Sequence, residues 1–296
     1  MSADHLNVRP LIVGAGGLVG RLLTERFESR YPHTVSATRA ELDVTDRWRT
    51  EAELERIQPT VVINGAAMAD VDACERDPEK AMQVNAVGPA HLAQACRSAG
   101  VRLIHLSTDY VFDGEIPAGV EYDEADQPNP VNTYARTKCA GEDAVLECLA
   151  DAVVLRISFV FGPGRPTFID KIATAALNTR ESIPIVDGWF TKPSFNLDLV
   201  RAIEEIVASD ITGVWHFANG PVCSRYQFAR SILQLVGQDP DRVKPVPVSS
   251  LTLPARRPPR TPLSTARFAA RFGRQPRSWT EWAGPYLAAQ SSESPR

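Results

Sequence analysis

Short apolar runs alternate with amphipathic stretches through the first half of the chain. Leu11-Ile12-Val13 is an apolar run that ends in glycines, and Leu18 to Phe27 follows with helical spacing. Thr34 to Thr38 predicts a second strand, and Arg47 to Ile57 a helix closed by Pro59. Val61-Val62-Ile63 reads as a buried strand. Pro78 to Ala99 reads as helical, with Gly100 as a stop signal. Leu103 to Leu106 predicts a strand, Tyr134 to Leu149 a helix and Val153 to Ile157 another strand. Uninterrupted apolar strands between amphipathic helices predict an α/β fold: a doubly wound parallel sheet of the Rossmann kind, covered on both faces.

After Gly162 the pattern loosens and prolines become frequent. Helices are expected at Leu197 to Val207 and Arg225 to Val236, a strand at Val214 to Phe217, and extended chain from Pro240 to Pro262. The expected division is a dinucleotide-binding domain over 8–161, with 194–218 returning to it. Residues 162–193 and 219–289 would form a smaller C-terminal substrate-binding domain. The polar ends, about 1–8 and 290–296, are expected to fray.

The composition excludes several classes. The 296 residues are 44% hydrophobic, enough for a sizeable core, and the net charge of −4 gives no reason to expect a nucleic-acid partner. Arg256, Arg257 and Arg260 form the one short basic stretch, and prolines interrupt it. An anionic substrate would therefore need local positive charge. No run of apolar residues is long enough to span a membrane, and the opening MSADHLNVRP does not resemble a signal peptide, so a cytoplasmic protein is expected. The five cysteines show no CxxC pair and no metal spacing with histidine; they read as reduced thiols, and no metal site is expected.

Chemistry enters at the first strand. Gly14, Gly17 and Gly20 stand three apart between a strand and a helix. Such a turn lets backbone approach a pyrophosphate, and the helix N-terminus offers it free N–H groups. Dinucleotide binding is expected. Arg39, near the end of the second strand, either meets a 2′-phosphate, which favours NADPH over NADH, or is a solvated charge. Asp43 either reaches the adenine end or caps the helix at Arg47.

Tyr134 and Lys138 lie one helical turn apart. A nearby ammonium stabilises phenolate and lowers a tyrosine pKa, which suits the pair to deliver a proton in a ketone reduction. Thr108 stands at a strand's carboxyl end, where sites of parallel sheets gather; it either bonds a substrate carbonyl or caps the strand. Asp109 beside it is either a turn acid or a substrate contact.

These residues together resemble a known family. The glycine turn, Asn64-Gly65-Ala66-Ala67, Ser107-Thr108-Asp109-Tyr110-Val111-Phe112-Asp113-Gly114, Tyr134-xxx-Lys138, Asp187 to Pro193 and Arg257-Pro258 with Thr261 are similar to the dTDP-4-dehydrorhamnose reductases, extended short-chain dehydrogenases, over nearly the whole chain. The resemblance implies reduction of the 4-keto group of a nucleotide-linked 6-deoxyhexose by NADPH, with NADH as the alternative. It implies Thr108, Tyr134 and Lys138 as the catalytic set. Gly17, Leu18 and Val19 would touch the cofactor phosphates, within a turn whose Gly14, Gly16 and Gly20 are expected from the glycine pattern itself to belong to the cofactor site. Asp43 and Val44 would meet the adenosine part, and Ala67, Met68 and Ala69 would line the cofactor after the third strand. Thr108, Asp109 and Phe159 would meet the sugar. Two positions depart from the pattern: Ala135 replaces a glycine, and Phe159 replaces a tryptophan, keeping a stacking face but losing the indole donor. No ligand set stands out for the magnesium-bridged dimer of some relatives; a homodimer is allowed for. The alternatives are a reductase or epimerase of another nucleotide sugar, and a non-catalytic subunit like the β subunit of methionine adenosyltransferase.

Overall fold

The structure, a computed structural model, describes residues 7–293 and side chains through residue 290. The chain runs β1 (Pro10–Val13), α1 (Leu18–Arg30), β2 (Val35–Ala37), α2 (Arg47–Ile57), β3 (Val61–Asn64), α3 (Val71–Arg76) and α4 (Pro78–Met82). A π-helical turn (Gln83–Val87) then leads to α5 (Gly88–Ala99), β4 (Arg102–Thr108), α6 (Thr133–Cys148) and β5 (Val153–Ile157). The second half holds β6 (Val160–Phe161), α7 (Phe168–Asn178), β7 (Ile183–Asp187), β8 (Phe190–Thr191), β9 (Ser194–Phe195), α8 (Asn196–Val207) and β10 (Gly213–Phe217). It ends with β11 (Cys223–Ser224), α9 (Arg225–Leu235), β12 (Val243–Pro247), α10 (Ala266–Phe272) and α11 (Trp279–Glu293).

Six parallel strands form the central sheet in the order β10-β5-β4-β3-β1-β2. The winding reverses between β1 and β3, so the crevice for a ligand opens beyond the carboxyl ends of these strands. Alternation along each strand divides the core. Ile12, Ile63, Ile104 and Val153 face Leu23, Phe27, Leu199 and Ile203. Leu11, Val13, Val62 and Val154 face Leu54, Leu92, Cys96 and Val145. Helices α1 and α8 thus cover one face, and α2, α5 and α6 the other. The Arg102 guanidinium clamps the end of α8 by donating to the carbonyls of Ile206, Ser209 and Ile211 at 2.9, 2.6 and 2.7 Å. A separate apolar cluster joins α7, α9 and α11 through Ile172, Phe228, Ile232, Trp279 and Leu287.

Several expectations need correction. Residues 78–99 are helical throughout, as expected, but pass through the π turn, where Asn85 is wholly buried. The stretch 240–262 is not uniformly extended: Val243–Pro247 pairs in parallel with Ile183–Asp187, and short 3-10 turns flank it. Helices α3, α7, α10 and α11 were not predicted. Pro285 inside α11 hid it, and α3 and α10 are too short to show a period. Of the ends expected to fray, 1–6 and 294–296 lie outside the described residues. Gln290 is helical and donates to Asp170 Oδ1 at 3.0 Å, and Val8 packs on the core.

Candidate active site

The glycine turn closes by contact. Gly14 has φ +82°, and a Cβ there would lie 2.6 Å from the Ala66 nitrogen. A Cβ on Gly20 would lie 2.2 Å from the Gly14 carbonyl oxygen, so α1 packs against the turn because Gly20 has no side chain. Gly17 precedes α1 with extended backbone, gives no side-chain cap, and no acid stands in the first turn. The amides there lack intrahelical acceptors and are free for phosphate. Gly16 is exposed, and Gly17, Leu18 and Val19 are partly so.

Two further loops flank this turn. Arg39 is largely exposed, with its Nε 3.2 Å from Asp43 Oδ2. Asp43 accepts from the Thr45 amide and hydroxyl at 3.1 and 2.8 Å; the hydroxyl does most to hold its carboxyl below the usual range. Asp46, not Asp43, caps α2, accepting from the Arg49 amide at 3.0 Å. Val44 is buried. After β3, Ala67 and Ala69 are exposed and Met68 half-buried. Asn85 grips Met68 from both sides: its Oδ1 accepts the Met68 amide at 2.8 Å, and its Nδ2 donates to the Met68 carbonyl at 3.1 Å. The same Nδ2 reaches the Thr137 hydroxyl on α6 at 3.1 Å. Asn85 therefore couples the loop after β3 to the helix that bears Tyr134 and Lys138. Free helix-end amides, open glycines and an exposed arginine fit a dinucleotide.

Thr108 ends β4, where its hydroxyl accepts the Tyr110 amide at 3.2 Å and donates to Asp109 Oδ1 at 3.3 Å. Tyr134 is half-buried and packs edge-on to Tyr110, ring centroids 6.1 Å apart. Burial raises its phenol well above 10, and the Thr108 hydroxyl beside it pulls the other way. The cationic lowering expected from Lys138 is thus not the dominant influence. Lys138, fully buried, directs its terminal nitrogen elsewhere: Nζ is 2.7 Å from the Leu106 carbonyl oxygen and 3.2 Å from His105 Nε2. Burial lowers its pKa to about 8.

Asp109 is the buried hub of the sugar side. One carboxylate oxygen accepts from Ser158 Oγ at 2.8 Å, from Thr191 Oγ1 at 3.1 Å and from Thr261 Oγ1. Burial raises its pKa against these hydroxyls. Its donors come from the segment after β5, from β8 and from the proline-rich strap at 254–263. The strap is pinned by Arg257 to Asp72 and by the Asn132 side chain to the Arg256 carbonyl at 2.8 Å. Phe159 lies beneath a cation: the Arg225 guanidinium sits over its ring, 3.0 Å from the centroid, while Phe168 and Phe228 pack at its edges. One face of the ring expected to stack is thus occupied by Arg225. Arg225 also stands near enough to Tyr110 to interact with its phenol, and it keeps a buried Nη1 without a hydrogen-bond partner.

Sequence reasoning named Thr108, Asp109, Tyr134 and Lys138 and missed Asn85, His105, Ser158, Thr191 and Arg225. Thr191 and Thr261 lay inside quoted motifs, but nothing in their spacing showed that they meet on Asp109. Arg225 carried the least signal, standing as an ordinary first residue of a helix.

A doubly wound sheet with a glycine turn after β1, a hydroxyl at the end of β4 and a Tyr-xxx-Lys helix beside it is the arrangement of an extended short-chain dehydrogenase. The family model described as RmlD substrate binding domain matches residues 8–291. A dTDP-4-dehydrorhamnose reductase of Mycolicibacterium smegmatis is 39% identical over 291 residues, covering 97% of this chain and 87% of that relative. A dTDP-4-keto-6-deoxy-D-glucose reductase of Streptomyces niveus is 37% identical over 240 residues, 81% of this chain and 82% of that relative. Among solved structures, a dTDP-4-dehydrorhamnose reductase of Bacillus anthracis in complex with NADP superposes with a TM-score of 0.90 at 28% identity, covering 96% of this chain and all of that one. The chain belongs to the dTDP-4-dehydrorhamnose reductase family.

Proposed function

We propose that this protein is an NADPH-dependent reductase of the 4-keto group of a dTDP-linked 6-deoxyhexose. The observation that carries this reading is the meeting of the Thr108 hydroxyl with the Tyr134 phenol at the carboxyl end of β4, in the same parallel sheet whose first strand ends in the glycine turn that closes on Ala66. When bound, reduced nicotinamide supplies the hydride. Amides at the head of α1 hold the cofactor phosphates, and Arg39 supplies charge for a 2′-phosphate. Thr108 donates to the substrate carbonyl, which polarises it and stabilises the forming alkoxide. Tyr134, held protonated by burial, delivers the proton to that oxygen. Lys138 orients the nicotinamide ribose. Arg225, with its unpartnered Nη1, is the local positive charge that an anionic nucleotide sugar requires and that the net charge does not provide. Segments 162–193 and 219–289 form the wall that receives the sugar nucleotide. The intact Thr108, Tyr134 and Lys138 favour an enzyme over a regulatory subunit.

The test is oxidation of NADPH by the purified protein with dTDP-linked 4-keto sugars. Tyr134→Phe should lower kcat by about a hundredfold or more while the fold is retained. Turnover at the unaltered rate would remove Tyr134 from the mechanism.

A further inference from the structure

Lys138 is tied to an imidazole whose proton can be placed. Asn64 and His105 are register partners on β3 and β4, both wholly buried. Asn64 Oδ1 accepts the Ala66 amide at 3.0 Å, and its Nδ2 lies 3.0 Å from His105 Nδ1. Turning the Asn64 amide over would set two N–H groups against each other at Ala66, so its orientation is decided. The amide NH2 therefore donates to His105 Nδ1, which must accept. A neutral imidazole carries one proton, so that proton sits on Nε2 and points at Lys138 Nζ, 3.2 Å away. An ammonium has no lone pair to receive it; an uncharged amine does. The amine keeps its own hydrogens for the Leu106 carbonyl at 2.7 Å.

We propose that His105 is a positioning residue that, through the chain Asn64–His105–Lys138, favours the neutral amine of Lys138 in the cofactor-free protein, and that seating the dinucleotide recruits Lys138 as an ammonium, taking up a proton from solvent wherever the amine was neutral. The second clause rests on the reading of Lys138 as a cofactor-orienting residue; the first does not.

The surroundings agree. Burial lowers Lys138 to about 8, and burial, ahead of any charge on Lys138, keeps His105 far below its ordinary value, so the imidazole stays neutral. Glu142, one turn on along α6, favours the ammonium. Its carboxylate is already engaged by Arg156 of β5, in contacts of 3.1, 3.1 and 2.7 Å. Tyr134 one turn back and Asp109 beyond β4 are both pushed by burial toward their uncharged forms, so neither supplies a countercharge.

The chain has five lysines and five histidines, few enough for selective labelling. With 15N-histidine in the wild-type protein, His105 should show a protonated Nε2 and an unprotonated Nδ1; the opposite tautomer overturns the proposal, and this reading needs no variant. With 13Cε-lysine, Lys138, assigned by loss of its signal in Lys138→Met, should titrate near 8. His105→Phe removes the donor and should move that titration upward by about one unit. A downward move overturns the proposal, because it would mean that the imidazole had been accepting from an ammonium. Calorimetric titration with NADP+ in buffers of different ionisation enthalpy, above about pH 8, should show proton uptake that Lys138→Met abolishes. Binding without uptake overturns the recruitment step. Absence of any binding overturns the cofactor reading instead and leaves the tautomer assignment standing.

Discussion

Arg257 meets Asp72 end to end, its Nη1 and Nη2 lying 2.5 and 2.8 Å from the two carboxylate oxygens across 185 residues of sequence. This pair fastens the proline-rich strap to α3, and the strap carries Thr261 to Asp109. Geometry of this kind positions rather than merely attracts, since a planar guanidinium matches a carboxylate in one orientation.

Arg257→Ala should therefore loosen the sugar side of the site. Loss of a partly buried charged pair should cost about 1.5–3 kcal/mol, read as a lower melting temperature. KM for the keto-sugar should rise more than kcat falls. Equal loss in both, with stability unchanged, would mean that Arg257 acts on the chemistry directly.

Gly20→Ala tests the cofactor turn. Its Cβ would press to 2.2 Å from the Gly14 carbonyl oxygen, which is backbone and must shift. Overpacking of this kind costs about 1–3 kcal/mol. Dinucleotide affinity, measured by titration, should fall by about tenfold or more, because the turn that moves is the one that presents the amides. Unchanged affinity would place the phosphates elsewhere.

Glu142 and Arg156 form an ion pair whose side chains are 3% and 4% exposed, on the helix of Tyr134 and on β5. Glu142→Leu alone strands a buried guanidinium, already lacking a partner at Nη1, and should cost about 3–5 kcal/mol. Adding Arg156→Met should restore most of that loss, because the desolvation of both charges disappears together. Denaturant unfolding of the two singles and the double would show it. A double variant as unstable as the single would assign the cost to packing.

Asp109 predicts a pH dependence. Burial raises its carboxyl above 3.8, so the native state holds that proton more tightly than the unfolded chain does. Its contribution to stability is fully present below the unfolded value and is lost as pH rises through the raised native value. Asp109→Asn mimics the protonated form and escapes this loss. Its stability should improve relative to wild type as pH rises through that window, followed by thermal melts at a series of pH values. A difference that does not vary with pH would show the carboxyl to be unperturbed.

Most of the sheet could be read from the sequence because burial on both faces leaves runs such as Val61-Val62-Ile63 with no polar interruption. The π turn could not, since Gln83 to Val87 keeps helical residue types and differs only in hydrogen-bond register. Phe159 shows the same limit at the site. Its aromatic character was legible, whereas the guanidinium over its face comes from Arg225, in a different segment.

What the sequence determined by itself was local: glycines where a turn must pass close to its neighbours, a phenol and an amine one helical turn apart, a hydroxyl at a strand end. Each is set by spacings of a few residues, which backbone geometry alone translates into position. What only the tertiary structure decided was which groups meet across long separations. Thr261 reaches Asp109, Asn85 joins Met68 to Thr137, and His105 engages Lys138, because parallel strands and a crossing strap bring together side chains that no local period relates. The protonation states at the site follow from those meetings and from burial, and neither is written in the order of residues alone.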